Sequence, residues 1–278
     1  MRIKRNIFHI GLFHAASTTL QQSLFPYIPG YNFVNFTKSN DIKAGPMPHM
    51  PKNFGRYFYY EKKNLFKDLK KYKEPFIFSS ESISNLQEQN SYFKIKYKNE
   101  NPIIGMTNLA KFMLESNSHL LFIIRDQKTI INSYFKRWSH LYKSENDLFI
   151  DFPYKKNMHK SKRTLKYSNF GMLYSRTFNY RLNLSIILNF INKNKVHIIP
   201  FEYLHKDQNK FIKLLGNAFG KDLNFLKKNL SENKHNEAPK QTKGLSKKFL
   251  KQIHNEFSND NKILDKTFNL GLKKLGYY

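Results

Sequence analysis

The sequence predicts an α/β protein: a three-layer domain with a mostly parallel central sheet, helices on both faces and a strand–loop–helix unit at the N-terminus. Three observations predict it. Short apolar runs alternate with segments of helical period along all 278 residues, the pattern of strands joined by crossover helices. Hydrophobic residues make up 40% of the chain and aromatic residues 16%, enough to fill a sizeable core. Neither an internal repeat nor a linker interrupts the pattern. One domain is therefore expected over residues 1–278, with 143–170 as an insertion or lid and 221–278 as a helical C-terminal part.

Each element has a local reason. "NIFHIG" (6–11) is apolar and ends on glycine, a short buried strand. "STTLQQSLFPYI" (17–28) starts a helix, with Ser17 as N-cap and Leu20 and Leu24 on one face. "YNFVNF" (31–36) reads as a second strand. Residues 41–56, rich in Pro, Gly and Met, suit a surface loop over a site. Residues 61–72 read as a charged amphipathic helix, and "PFIFSSES" (75–82) as a strand running into a turn. A helix follows at 107–116, and "HLLFIIR" (119–125) is the strongest strand in the chain. The helix at 127–142 places Ile130, Ile131, Tyr134, Phe135 and Trp138 on apolar positions. A long helix is expected over 172–192, a strand at 195–201 and a helix at 207–220 that stops on a glycine. Ligands of open α/β sheets bind beyond the carboxyl ends of the strands. Gly11, Ser79, Ser80, Glu81, Arg125, Phe201 and Glu202 fall there.

With 48 Lys+Arg against 20 Asp+Glu, the formal net charge is +28. Such a field favours nucleotides, sulfated or phosphorylated substrates, nucleic acid or anionic lipid. Abundant Lys, Asn, Ile, Phe and Tyr also follow from A/T-rich codons, so the bulk charge names no partner by itself. The absence of cysteine excludes disulfides and thiolate metal sites. No apolar run approaches the roughly 20 residues of a membrane helix. "MRIKRN" followed by "IFHIGLFHAAS" imitates a secretion signal, but His9, Gly11 and His14 weaken its apolar stretch, and the expected location is the cytoplasm. His49, His119, His140, His159, His197, His205, His235 and His254 lack metal-ligand spacing, and surface or loop positions are expected for them. The basic stretches 155–166 and 234–248 read mostly as solvated charge, and no RNA-recognition motif is present.

The stretch from His9 to Gln21, "HIGLFHAASTTLQ", carries the chemistry. A strand–loop–helix unit offers backbone N–H groups and a positive helix end to an anion. Ala15, Ala16 and Ser17 are small enough for a phosphate to approach, and Ser17, Thr18 and Thr19 can donate hydroxyls. The Walker phosphate loop has the form GxxxxGK[ST]. Here Ala16 stands at its second glycine and Ser17 at its lysine, which disfavours an ordinary ATPase or GTPase. The plain alternative is a βα turn. A second constellation is Arg125, ending a strongly apolar strand, with Ser133 one turn into the next helix. A guanidinium fork suits a phosphate dianion; the plain alternatives are a strand-end surface arginine and a helix-surface hydroxyl. A third is Glu81, after Ser79 and Ser80, where a carboxylate can complement a helix start at Ser80.

These stretches resemble the sulfotransferase family, whose loops read HIGxxKTGTTxLQ or GxHKxASTxLQ. His9, Ile10, Gly11, Ser17, Thr18, Leu20 and Gln21 fit, and the family lysine falls on His14. "RDQKTIINSYF" (125–135) is similar to the family's 3′-phosphate motif, with Gln127 where a proline is usual. "SSE" at a strand end and "VHIIPFEYL" (196–204) also resemble family segments, and Glu202 is read as capping the segment after it. The resemblance spans residues 7 to about 220. It implies transfer of a sulfuryl group from 3′-phosphoadenosine 5′-phosphosulfate (PAPS), without a metal, to a hydroxyl or amine acceptor, a glycan among the candidates. It assigns Gly11, His14, Ala15, Ala16, Ser17, Thr18, Thr19, Arg125 and Ser133 to the donor, with His14, Glu81 and Ser133 in catalysis. Three other readings stand beside it: a degenerate nucleotide-binding relative with little turnover, a P-loop small-molecule kinase, and a nucleic-acid-binding protein. The sequence is silent on oligomeric state.

Overall fold

A computed structural model describes residues 5–11, 17–35, 75–80, 102–138, 145, 178–232 and 244–278. Five strands form one sheet: β1 (Asn6–Gly11), β2 (Asn32–Asn35), β3 (Phe76–Ser80), β4 (Ser118–Ile124) and β5 (Val196–Pro200). Their spatial order is β2-β3-β1-β4-β5, and every pair is parallel. Parallel sheets are covered on both faces, which is why these strands are continuous apolar runs rather than alternating ones. All six residues of β1 are buried, as is all of β4 except the half-buried His119.

Six helices are used below: α1 (Ser17–Ser23), α2 (Pro102–Glu115), α3 (Gln127–Trp138), α4 (Tyr180–Leu188), α5 (Gln208–Phe219) and α6 (Lys247–Phe268). Aromatic contacts show which face each covers. On one face, Phe8 of β1 meets Phe112 of α2 edge-on at 4.9 Å, and Phe122 of β4 meets Tyr180 of α4 at 5.7 Å. On the other, His9 packs on Phe25 at 5.1 Å, and Phe25 lies 6.3 Å from Phe219 of α5. Alternate residues of one strand point to opposite faces, so β1 joins both helical layers.

Most expected elements stand within a residue or two of their expected bounds. The helix expected at 107–116 starts earlier, at Pro102. Proline is at home in a first helical turn, where its missing N–H costs nothing. The helix expected over 172–192 is shorter at its end, stopping at Leu188, and Asn179 caps Tyr180–Leu188 by accepting from the Leu182 N–H. Helix α5 ends on Gly220 at φ 63°, a left-handed position that glycine adopts without cost. Gly220 and Lys221 return N–H bonds to the α5 carbonyls of Asn217 and Gly216. Leu20 and Leu24 are both fully buried, as their spacing predicts. The expected loop at 41–56, the helix at 61–72 and the basic stretch 155–166 lie outside the described residues, as does 143–170 apart from Glu145.

Among the described residues, no helix is long and apolar enough to cross a membrane.

Candidate functional site

The connection leaving β1 runs to β2 and β3 on one side, while the one leaving β4 runs to β5 on the other. The two neighbouring strands β1 and β4 therefore flank the point where the winding reverses. Beyond their carboxyl ends lies the crevice in which open α/β sheets place ligands. Gly11 ends β1 opposite Ile123 of β4, and Arg125 follows two residues later. The two stretches read from the sequence as anion-binding thus leave adjacent strands at one end of the sheet.

Three buried side chains support the β1 end. His9 is fully buried, and its Nδ1 lies 2.7 Å from the Ser79 hydroxyl on β3. Gln21 of α1 donates to that same hydroxyl oxygen at 2.9 Å. The trio ties β1, β3 and α1 together near the end of β1. Burial holds the His9 imidazole near pKa 3, so it is neutral. Its Nε2 is buried with no hydrogen-bond partner among the described residues.

At the β4 end, consecutive residues are clamped one by one. Arg125 donates its N–H to the Tyr180 hydroxyl at 3.3 Å and accepts from that hydroxyl at its carbonyl, at 2.6 Å. The Asp126 N–H donates to Glu202 Oε1 at 2.9 Å. Gln127 donates to the Phe178 carbonyl and exchanges two amide bonds with Asn261 of α6, at 3.1 and 2.9 Å. The Arg125 guanidinium lies 4.7 Å over the Phe201 ring, and burial draws its pKa down, opposed first by Glu202. Burial raises the Asp126 carboxyl, partly offset by Lys128 and by the Thr129 hydroxyl, which donates at 3.0 Å.

A solved structure shares this fold over nearly the whole chain. The crystal structure of a sulfotransferase from Alicyclobacillus acidocaldarius aligns over 98% of this chain and 98% of its own, at 12% identity and a TM-score of 0.58. The chain has the sulfotransferase fold. Mouse sulfotransferase SULT7A1, complexed with PAP, aligns over 83% of this chain and 64% of its own at 13% identity, with a TM-score of 0.40. No protein-family model and no curated protein matches the sequence.

Within the sulfotransferase fold, Gly11 and Arg125 stand at strand ends as expected. Ser17, Thr18 and Thr19 open α1, with Thr19 half-buried. Ser133 is half-buried in α3, one turn past its start at Gln127, as expected. His14, Ala15, Ala16 and Glu81 lie outside the described residues. Glu202 corrects its expected role. It occupies the position before Tyr203–Lys206, but its side chain makes no capping bond there; both carboxylate oxygens turn to Asp126 and to Tyr277.

Two histidines expected on the surface or in loops are also corrected. His119 and His197 sit half-buried on β4 and β5 with nearly parallel rings, Nδ1 and Nε2 2.9 Å apart. Both are held near pKa 4, chiefly by burial, with Arg5 adding repulsion. They stand near the strand starts, away from the crevice. Sequence reasoning missed Tyr180, Asn261 and Tyr277, which carry no local motif. Among the described residues, no group of three or more His, Asp and Glu could hold a metal ion.

Proposed function

We propose that this chain is a PAPS-dependent sulfotransferase, one domain over residues 1–278 acting on a hydroxyl or amine acceptor, with a carbohydrate as the first acceptor to try. The observation that carries the reading is that Gly11 and Arg125 stand at the carboxyl ends of neighbouring strands, at the switch point of a sulfotransferase fold. The loop N–H groups and the Ser17, Thr18 and Thr19 hydroxyls cradle the 5′-phosphosulfate, with Ala15 and Ala16 leaving room for it. Arg125 and Ser133 take the 3′-phosphate. The acceptor oxygen attacks sulfur while the bond from sulfur to the 5′-phosphate oxygen breaks, and the electron pair leaves with 3′,5′-ADP. Glu81 takes the acceptor proton. His14, in its charged form, donates to the departing oxygen where relatives by resemblance use lysine. The positive charge needed comes from Arg125, His14 and backbone N–H groups, so the reading uses no metal.

Thermal shift with three ligands tests it. 3′,5′-ADP is expected to raise Tm, while ATP–Mg²⁺ and single-stranded DNA leave it unchanged. A shift with ATP–Mg²⁺ instead favours the kinase, and a shift with DNA alone favours a nucleic-acid binder. Transfer of labelled sulfate from PAPS to an acceptor panel then separates an enzyme from a silent nucleotide binder.

The His14 role has its own consequence. Imidazole ordinarily titrates at about 6.5, and nearby phosphates favour its charged form. Activity is expected to fall above neutral pH, and His14→Lys is expected to carry it further into the alkaline range. Superimposable pH–rate profiles for the two proteins would rule His14 out as the donor.

A further inference from the structure

The residues after β4 are held by a strap made near the end of the sequence. Tyr277 is 1% exposed, and its hydroxyl donates to Glu202 Oε2 at 2.7 Å. The other oxygen of that carboxylate accepts from the Asp126 N–H at 2.9 Å. The Tyr277 carbonyl accepts from Asn261 at 3.1 Å, and Asn261 in turn holds Gln127. One residue earlier, the Gly276 carbonyl accepts from Lys128 Nζ at 2.8 Å. Gly276 turns the chain into place at φ 88°, a conformation that disfavours a side chain although nothing lies where a Cβ would stand. Residues 126, 127 and 128 are each joined to the 276–277 segment, either directly or through one side chain.

We infer that Tyr277 is a positioning residue for Arg125: through Glu202 it fixes the Asp126 backbone and so sets the direction in which Arg125 presents its guanidinium to a phosphate. This rests on the reading of Arg125 as the 3′-phosphate ligand. Glu202 makes the device sensitive. A half-buried carboxylate that loses a hydroxyl donor is left under-solvated and pulls on its remaining partners, the Asp126 amide first. Gln127 fits the same picture. Where the resembled motif has a proline to stiffen the backbone, this chain has a buried amide tied to Asn261.

The test compares two probes on the full chain by isothermal titration calorimetry. 3′,5′-ADP carries the 3′-phosphate and 5′-AMP does not. Wild-type protein is expected to prefer 3′,5′-ADP, and Tyr277→Phe to lose about tenfold of that preference, the effect of one hydrogen bond to a charged group. Its 5′-AMP affinity stays within about twofold, in line with an unchanged site. A purely structural role weakens both probes alike, so a parallel loss overturns the inference, as does an unchanged preference. A wild-type protein that binds both probes equally overturns the reading of Arg125 and the inference with it. If Tyr277→Phe melts below the assay temperature, Glu202→Gln replaces it; it keeps an acceptor for Asp126 and removes the charge facing Tyr277. The same selective loss is expected, and a parallel loss or none overturns the inference.

Discussion

Replacing Arg125 with alanine is expected to reduce affinity for 3′,5′-ADP about 100-fold, the loss of two charge-assisted hydrogen bonds to one phosphate. Affinity for 5′-AMP should change only slightly. Arg125 is suited to this because most of its freedom is already removed. Its main chain is bonded twice to Tyr180, the residue after it is bonded to Glu202, and its guanidinium stacks on Phe201. A donor fork fixed before binding loses little rotamer entropy on meeting its ligand. Arg125→Lys keeps the charge but not the fork, and it should recover only part of the affinity. Calorimetry with both nucleotides measures this directly. Equal affinity of wild-type and alanine proteins for 3′,5′-ADP would remove Arg125 from the site and leave Gly11 and the first loop without their partner.

Acid is expected to unfold the protein through histidines held neutral. His9 is buried and stays near pKa 3, whereas an unfolded histidine titrates at about 6.5. Between those values the unfolded chain binds a proton that the folded chain refuses. Stability is therefore complete above about pH 6.5, falls as pH drops through this window and levels off below pH 3. A shift of this size is equivalent to about 4–5 kcal/mol, a large part of the 5–15 kcal/mol typical of a domain. His119 and His197 act in the same direction down to about pH 4, more weakly because both are half-exposed. Urea midpoints at pH 7 and pH 4 should differ strongly in wild-type protein. His9→Asn should be weaker at pH 7, since it disturbs the bond to Ser79, yet less pH-dependent. Parallel loss of stability in the two proteins would show that His9 does not govern the acid response.

The sheet was legible because strands buried on both faces must be apolar throughout. "NIFHIG" and "HLLFIIR" have no other reading of comparable strength, and both are strands. Helix ends were harder to read. The helix expected at 107–116 begins at Pro102, whose place in a first helical turn leaves no apolar period to mark it, and the cap at Asn179 lies inside the span expected as one long helix. In the candidate site, Gly11 and Arg125 could be read because strand end and motif coincide at each. Tyr277 could not be read, because its partner Glu202 is 75 positions away and nothing in "LGYY" hints at it. Glu202 was seen but misread, since an acidic residue before a helix usually serves that helix. The fully buried His9 was recognised as part of a motif, while its bond to Ser79, 70 residues on, appears only once β1 and β3 lie side by side.

The strap also sets an order of events during synthesis. The last strand of the sheet ends at Pro200. The clamp on Gln127 comes from Asn261, 134 residues later, and that on Glu202 comes from Tyr277. All five strands are therefore made before the residues that fasten the Arg125 corner, as is part of the core, although Phe211, Phe219, Ile253 and Phe257 also come later. On the reading of Arg125 as the 3′-phosphate ligand, a chain cut before Tyr277 is expected to keep its five strands and to lose part of its preference for 3′,5′-ADP over 5′-AMP.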